Sequence, residues 1–396
     1  MKKNILIVVL SILILPLFLS GCSPKENSEL KTVTIYMWGG SDSINEYMDK
    51  WVAPKLKEEQ GILLKRVPIN TPKDVINKLI TEKQSGKTQG DTDIIWMNGE
   101  NFKLAKESKV LSEPFTDKLP NFQKYIDSNS NDVNYDFGEA TEGMEAPFGK
   151  VQFVYIYNSE KVKNPPKSFE DLKEWVKKNP GKFTYPAASD FTGSAFIRQG
   201  FYETCGGYEK YLKPIAEKNL SEDSKPLWNY LNEIKPYLWE QGKTYPESLS
   251  KLDQLYSSGE VWMTMGYDEA RAASEIKKGI FPSSTKTMVF SSGTLANTHF
   301  LTIPFNSPNK AGAEVVINFL LSPEAQIAKF DPKNWGDGLA LDFSKLSEED
   351  KNKVKAINRG EATLPEAELE SHRVPEIKAG YVEFLQKGWI ENVSKN

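Results

Sequence analysis

Aromatic, amide and carboxylate side chains collect at the points where predicted strands of this sequence end. Aromatic faces stack on flat rings or attract cations, and the polar groups form hydrogen bonds, so together they suit the binding of a small polar molecule. The candidate residues are Trp38, Gly39, Gly40, Ser41, Trp96, Asn98, Glu100, Asn101, Phe153, Tyr155, Tyr185, Asp190, Thr192, Tyr267, Asp268, Asn297 and Trp335. The six that we expect to contribute most are Trp38, Trp96, Tyr185, Asp190, Tyr267 and Asp268.

Some of these residues also have a purely structural interpretation. Trp96 lies in the middle of a predicted strand, so core packing and ligand contact both stay open for it. Ser41, Asp190, Thr192 and Asp268 stand before or at the start of predicted helices, where such side chains cap the first turn. A capping side chain can also face a ligand, and so the two interpretations overlap.

The elements that carry these residues alternate between strand and helix. Residues 32–37, 61–68 and 94–96 have patterns typical of strands, and each is followed by a turn and a helical pattern. This alternation predicts a parallel α/β sheet with helices on its faces. Helix amino termini that follow strands offer unpaired backbone N–H groups, which suit oxygen-rich ligand groups. Further strands are predicted at 151–157, 182–186, 261–265 and within 293–308.

Composition and motif content argue against several classes of protein. The formal net charge of −4 offers no basic stripe for nucleic acid. His299 and His372 are the two histidines, and neither has the Cys, His or Asp spacing of a zinc site. No phosphate-binding loop of the Walker type occurs in the sequence. We therefore expect no metal, no cofactor and no nucleic-acid partner.

Two other classes of protein stay open on the residues alone. Paired carboxylates, Glu139 with Glu142 and those at 348–350, would suit a secreted glycoside hydrolase whose cleft is lined by aromatic residues. Such charged runs are more often solvated helix faces. A structural surface protein or adhesin is the other class, and it has no need of a cleft that closes on a ligand.

The amino terminus has the layout of an export signal. Lys2 and Lys3 precede the apolar run 5–19, which is shorter than the ~20 residues that a membrane span needs. Small residues then lead to Cys22, one of two cysteines in the sequence. The polar residues 23–30 predict a flexible tether.

Several fragments carry a family resemblance. The tetrapeptide Leu19–Cys22 resembles the lipobox of bacterial lipoproteins, in which the cysteine is lipidated and becomes the first residue after cleavage. Six later fragments, in their order along the chain, resemble an extracellular solute-binding protein of an ABC importer, near the group that handles thiamine, polyamines or iron. They are TIYMWGGSD, DTDIIWMNGENF, GKVQFVYIYN, SFEDLKEW, SGEVWMTMGYDEA and NSPNKAGAEVVINFLLSPEAQ.

The resemblance implies an α/β fold of the two-lobed periplasmic-binding-protein type (type II), with a hinge of crossing strands. Lobe 1 would consist of residues 31–147 and 300–396, and lobe 2 of residues 148–299. The crossings would lie near 149–157 and 294–304. A solute would bind in the cleft between the lobes, and the lobes would close on it by hinged motion.

The resemblance also implies how the protein is exported and which partners it meets. Residues 1–21 would form the lipoprotein signal peptide and 22–30 the tether, and Cys22 would hold an exported monomer to the outer face of the cell membrane. The partners would be the solute and the permease and ATPase subunits of the importer, and the chain would not be an enzyme. Its aromatic and acidic residues favour a cationic nitrogenous ligand such as thiamine. A sugar, held by stacking and hydrogen bonds, is the alternative.

Overall fold

Two β-sheets of different size organise the chain. The structure is a computed structural model that describes residues 31–212 and 217–395. The predicted signal peptide, the tether and Cys22 lie outside the described residues, so these features stay predictions.

The bounds of the regular elements are as follows. The strands are β1 Lys31–Trp38, β2 Ile62–Ile69, β3 Ile94–Met97, β4 Tyr135–Asp136, β5 Glu139–Ala140, β6 Glu145–Gln152, β7 Val154–Asn158, β8 Met263–Gly266, β9 Thr285–Met288, β10 Thr294–Thr302, β11 Gly338–Leu339 and β12 Arg373–Pro375. The α-helices are α1 Asp42–Glu46, α2 Ala53–Gln60, α3 Pro72–Gln84, α4 Glu100–Glu107, α5 Pro120–Tyr125, α6 Asn131–Asn134, α7 Phe169–Lys178, α8 Phe191–Thr204, α9 Glu217–Asp223, α10 Lys225–Ile234, α11 Leu249–Ser257, α12 Arg271–Lys277, α13 Lys310–Leu320, α14 Pro323–Phe330, α15 Glu348–Ala356, α16 Glu366–Ser371 and α17 Ala379–Trp389. Single π-helical turns occupy Tyr47–Val52 and Ile390–Ser394.

The larger sheet has the strand order β11–β6–β10–β3–β1–β2, with β12 added beside β10. Strand β1 runs parallel to both β2 and β3, as the strand–helix alternation of the first hundred residues predicts. Strand β10 lies between β3 and β6 and is antiparallel to both. The α/β class predicted from the sequence is therefore confirmed.

The smaller sheet has the order β8–β7–β9, and β7 is antiparallel to both neighbours. The strand predicted at 182–186 is wrong, because no ladder forms there. The carbonyls of Lys182 and Phe183 instead accept single hydrogen bonds from the backbone N–H groups of Trp262 (2.9 Å) and Trp239 (2.8 Å). An extended segment held at isolated points satisfies its backbone without joining a sheet.

Two crossings carry the chain from one sheet to the other. Phe153 alone separates β6 of the larger sheet from β7 of the smaller sheet. In the second crossing, β9 of the smaller sheet leads into β10 of the larger one. The backbone N–H of Phe153 donates to the carbonyl of Leu295 over 2.7 Å. The two crossings are thus hydrogen-bonded to each other where they pass between the sheets.

Each sheet has its own hydrophobic core. Ile35 of β1 belongs to the core of the larger sheet. Tyr381, Leu385 and Trp389 of α17 belong to the core of the smaller sheet, although the predicted division of the chain assigns 300–396 to lobe 1. These three side chains recur every four residues and therefore share one face of α17. The lobe boundaries themselves stay a prediction.

Candidate functional site

Strand β10 carries the centre of the candidate site. Asn297 and His299 lie two residues apart on it, so both side chains project from the same face of the sheet. Both are buried. Asn297 belongs to a polar cluster around Arg198, and His299 belongs to a cluster of tryptophans. The two clusters are therefore neighbours along one strand.

The tryptophan cluster consists of Trp38, Trp96, Trp335 and His299. The Trp96 ring centroid lies 6.5 Å from that of Trp38, 5.9 Å from that of Trp335 and 4.9 Å from that of His299. Trp335 is buried, whereas Trp38 and Trp96 are half-buried. The half-buried rings of Trp38 and Trp96 meet edge-on at 66° and form a tryptophan wall, whose aromatic faces are of the kind that stack on ligand rings or hold cations.

The arginine cluster consists of Arg198, Glu376, Tyr267, Asn297 and Ser194. Arg198 donates from Nε to Glu376 Oε2 over 3.0 Å and from Nη2 to Oε1 over 3.1 Å, which makes a bidentate ion pair. The guanidinium also donates to Ser194 Oγ over 2.7 Å and to Tyr267 Oη over 3.0 Å. The Tyr267 hydroxyl and Asn297 Nδ2 both donate to Glu376 Oε1, the latter over 3.3 Å. Four separate parts of the chain therefore meet at one carboxylate.

Two of the predicted site residues accept hydrogen bonds from backbone groups near the start of a helix. Asp190 caps α8, because its Oδ1 accepts from the backbone N–H of Thr192 over 2.9 Å and of Gly193 over 3.2 Å. Asp268 Oδ1 accepts from the N–H of Ala270 over 3.1 Å in the turn before α12, where Ala270 rather than Asp268 is the cap residue. The capping interpretation therefore applies to Asp190, whose oxygens are used by backbone groups.

The charge on Arg198 is balanced within its own cluster. Burial disfavours the cation, but Glu376 more than offsets this and raises the pKa of Arg198 above its ordinary value. Burial also raises the pKa of Tyr267, and Glu376 adds to the effect. Arg198 thus stays cationic and Tyr267 stays protonated. Because Glu376 neutralises Arg198, the cluster offers a ligand little net positive charge.

Three carboxyl groups that form no ion pair with the described residues lie at these clusters. Burial raises the pKa of Glu100, although the nearby Arg198 acts in the opposite direction. Burial raises the pKa of Asp268 to about 7, and the charge of Asp337 adds to this. Burial likewise raises the pKa of Glu269 to about 8, against the influence of Arg359. A positive charge placed beside these groups would favour their ionised forms.

Three polar atoms of the two clusters, and one of the nearby Glu100, form no hydrogen bond with any described residue. They are Glu100 Oε2, Asn297 Oδ1, Trp96 Nε1 and His299 Nδ1. The oxygens are acceptors and Trp96 Nε1 is a donor. Buried polar groups are ordinarily paired, so these atoms are natural contact points for a bound molecule.

The loops after β1 and β3 place two of the predicted residues. A side chain at Gly40 would overlap the Trp38 ring, so the absence of a Cβ there lets the loop fold over the tryptophan. After β3, the backbone N–H of Asn101 donates to the carbonyl of Asn98 over 3.3 Å. This turn puts Glu100 at the first position of α4.

The other predicted residues of these loops and of the first crossing have local packing roles. The backbone N–H of Gly39 donates to the carbonyl of Ile69 over 3.1 Å, and Ser41 Oγ shares a hydrogen bond of 2.9 Å with Ser43 Oγ. Phe153 packs against the Tyr267 ring at 5.3 Å.

Two predicted residues lie in the core rather than at the clusters. Tyr185 is fully buried, stacks on Phe196 at 4.4 Å, and its hydroxyl accepts from Trp389 Nε1 over 3.1 Å. Tyr155 is also fully buried and stacks on Phe290 at 4.3 Å. Full burial removes both rings from contact with a solute, so neither is part of the site proposed below.

The sequence interpretation missed Arg198, Glu376 and Phe137. The Phe137 ring lies 5.4 Å from the Arg198 guanidinium. One signal for Arg198 was available, since it is a single charge in a helix whose other positions from Thr192 to Tyr202 read as apolar, small or neutral polar. A charge among buried residues requires a partner. No comparable signal marks Glu376, which is 178 residues away.

Among the described residues, no three His, Cys, Asp or Glu side chains are grouped so as to hold a metal ion. Over residues 31–212 and 217–395, no helix combines the length and apolar character needed to cross a bilayer.

The Arg198–Glu376 pair yields a stability prediction. Replacing Arg198→Met leaves the Glu376 carboxylate buried without a cation, and we expect urea denaturation to show a loss of about 3–5 kcal/mol. The double variant R198M/E376L should recover most of that loss, because no uncompensated charge remains. The exposed pair Lys387–Glu383 (2.7 Å) is the control, and K387M should cost less than about 1 kcal/mol. A loss in R198M no larger than in K387M would contradict this interpretation.

The sequence is similar to those of known proteins over most of its length. The family model for bacterial extracellular solute-binding proteins matches residues 51–337. The chain is 35% identical over 367 residues to protein YnjB of Escherichia coli. The aligned residues make up 92% of this chain and 92% of that protein.

Solved structures with the same fold are more distant in sequence. A putative spermidine/putrescine ABC transporter from Listeria monocytogenes has a TM-score of 0.63 at 16% identity, over 92% of this chain and 100% of that chain. The periplasmic binding protein AfuA from Actinobacillus pleuropneumoniae, with fructose-6-phosphate bound, has a TM-score of 0.63 at 14% identity. The match covers 92% of this chain and 99% of that chain. The predicted two-lobed architecture is confirmed by these similarities. On the family match and the identity to the Escherichia coli relative, the chain belongs to the bacterial extracellular solute-binding proteins.

Proposed function

We propose that this protein captures a small cationic nitrogenous solute, such as thiamine, between its two lobes for uptake by an ABC importer. The observation that supports this most directly is the pair of acceptors Glu100 Oε2 and Asn297 Oδ1, which receive no hydrogen bond from the described residues. N–H groups of a solute would donate to both. The half-buried rings of Trp38 and Trp96 would stack on its flat or cationic part.

The balance of charge at the two clusters supports a cation over an anion. Arg198 already has a bidentate partner in Glu376, so an anionic solute would have to compete with that carboxylate. Glu100, Asp268 and Glu269 have pKa values that burial raises. A solute cation would stabilise their charged forms and so gain binding free energy.

The route of delivery follows from the family. Extracellular solute-binding proteins deliver a small solute to the permease and ATPase components of ABC transporters. In the proposed cycle the solute contacts Trp96 and Glu100 on one side of the cleft and Tyr267 and Asp268 on the other. Such a solute binds the closed form more tightly than the open form, and this difference is what shifts the equilibrium towards closure. Attachment through a lipid on Cys22 is part of the proposal.

A sugar is the second candidate solute. Trp96 Nε1 and His299 Nδ1 form a donor and an acceptor on adjacent rings that no described residue satisfies. A hydroxyl group can both donate and accept, so a sugar hydroxyl would suit this pair. The family and the relatives named above are binding proteins rather than enzymes, and we propose no hydrolytic step for the carboxylates.

A thermal-shift panel separates these candidates. Residues 23–396 would be heated with thiamine, spermidine, maltose or phosphate, each over a range of concentrations. We expect a rise in melting temperature with thiamine or spermidine, since a ligand at 100 times its Kd adds about 2.7 kcal/mol of stability. A rise with maltose alone would contradict the cationic proposal and leave the binding function in place.

Glu100 is expected to contact the solute directly. The substitution Glu100→Gln removes its charge and should weaken thiamine binding in calorimetry by roughly tenfold to a hundredfold, the range for a lost charge-assisted hydrogen bond. Glu107→Gln, at the exposed end of the same helix, is the matched control and should leave affinity within about twofold. Equal affinities for both variants would remove Glu100 from the site.

The affinity for a cation should depend on pH. In the free protein the pKa of Asp268 is about 7, so below that pH the carboxyl is neutral and attracts a cation poorly. We therefore expect thiamine, whose thiazolium keeps its charge, to bind more tightly as pH rises from about 5.5 to about 7.5. The variant D268N should lose this part of the rise and keep the parts that come from Glu100 and Glu269, whose pKa values burial also raises. A flat profile in the wild type would contradict the role of Asp268.

A further inference from the structure

A buried charged network lies directly behind the tryptophan cluster. Lys329 of α14, Asp337 after it and His299 of β10 are each no more than 2% exposed. His299 Nε2 lies 2.9 Å from Asp337 Oδ2, and Lys329 Nζ donates to the same oxygen. Lys329 Nζ also donates to the carbonyl of Gly338 over 2.6 Å. The candidate site as described so far uses neither Lys329 nor Asp337.

The network has one arrangement of charges and protons that its surroundings favour. Burial lowers the pKa of His299, against the influence of Asp337. Burial opposes the ionised form of Asp337, but His299 and Lys329 beside it lower its pKa below the ordinary value. The Asp337 carboxylate lies between Lys329 and His299 and accepts hydrogen bonds. A neutral His299 can donate to this carboxylate only as the tautomer that carries its proton on Nε2. Nδ1 is then left as the acceptor that no described residue satisfies.

Lys329 and His299 of this network touch aromatic rings at the site. The Lys329 ammonium lies 5.3 Å from the ring centroid of Trp335 and 5.3 Å from that of Phe148. His299 stacks on Trp335 at 5.5 Å with an interplanar angle of 24° and meets Trp96 edge-on at 4.9 Å. A displacement of His299 would therefore disturb the packing of Trp96 and Trp335, and a displacement of Lys329 would disturb that of Trp335.

The backbone is shaped to admit this network. A Cβ at Gly149 of β6 would overlap Asp337 Oδ2 and approach His299 Nε2 and Lys329 Nζ to 2.5 Å. Gly149 pairs with His299 across the β6–β10 ladder. A glycine is thus required at the point where the three polar groups converge against the strand.

We propose that Lys329 and Asp337 are positioning residues of the solute site, which act by holding His299 in one tautomer and the rings of Trp335 and Trp96 in one orientation. The proposal rests on the cleft between these rings being the binding site, as proposed above. Apolar side chains would fill the same space at a lower cost of desolvation. What they would not supply is a fixed direction for the imidazole, and this is the property that the experiment measures.

The experiment compares K329M, D337N and K329M/D337N with the wild type. Each single variant leaves a buried partner uncompensated and should lower the melting temperature, whereas the double variant should regain most of the loss. The amide introduced by D337N can offer either an oxygen or an N–H to the ring, so the imidazole direction is no longer fixed. We expect long-range ¹⁵N spectra to show a single His299 tautomer in the wild type and a mixture in the double variant, with thiamine affinity at least tenfold lower.

Two internal controls keep the outcome decisive. His372, the second histidine, contacts Glu368 and Ser371 rather than the network, so its signals should be the same in all variants. K355M replaces an exposed lysine over the Phe343 ring and should change neither spectrum nor affinity. A double variant with wild-type tautomer and wild-type affinity would overturn the proposal. If the wild type itself binds no thiamine, the ligand assignment fails, and the tautomer together with the near-ultraviolet circular dichroism of the tryptophans still decides the positioning role.

Discussion

Strands β6 and β10 pair antiparallel in the middle of the larger sheet, from Ala296 opposite Gln152 to Thr302 opposite Glu145. The two lobes depend on this ladder, because both crossings to the smaller sheet leave from the end of it that carries Gln152 and Ala296. The hydrogen bond from Phe153 to Leu295 joins the crossings there. In the proposed closure, the lobes would move relative to one another by bending at the few residues that follow the ladder, which is the usual construction of a hinge. The same ladder carries Asn297 and His299, so the proposed hinge and the centre of the candidate site share one strand.

Burial of charge gives the site its chemical preference. The arginine cluster satisfies itself, since Glu376 receives hydrogen bonds from Arg198, Tyr267 and Asn297. Within residues 31–212 and 217–395, the carboxyls of Glu100 and Asp268 form no ion pair, and burial raises the pKa of each. On this basis we propose that the site favours a cation over an anion. The tryptophan wall beside it adds an attraction for cations that does not depend on ionisation of the protein.

Much of the fold could be predicted from local pattern, and much of the site could not. Parallel β1, β2 and β3 follow from short apolar runs that alternate with helical patterns, and Trp38, Trp96 and Glu100 follow from their place at strand ends. The segment at 182–186 has a strand-like composition but does not pair with the edge of a sheet. Its Tyr185 is buried in the hydrophobic core. Its position at the end of a predicted strand was therefore misleading.

Local sequence pattern could not predict which groups from distant parts of the chain would meet. Arg198 and Glu376 are 178 residues apart, and His299 and Asp337 are 38 apart. Only the tertiary fold brings these residues together, and the sequence shows at most that a lone charge in a buried helix needs a partner. The assignment of α17 to the core of the smaller sheet is of the same kind, because its amphipathic pattern fits either lobe.

The central claim is that a cation binds between the tryptophan wall and the unpaired acceptors. A crystal structure of residues 23–396 with thiamine tests it most directly. The account predicts a thiamine nitrogen within about 3.2 Å of Glu100 Oε2 or Asn297 Oδ1, with a ring stacked on Trp38 or Trp96 and the Arg198–Glu376 pair intact. Thiamine bound outside the cleft, or bound through Arg198 with Glu376 displaced, would contradict it.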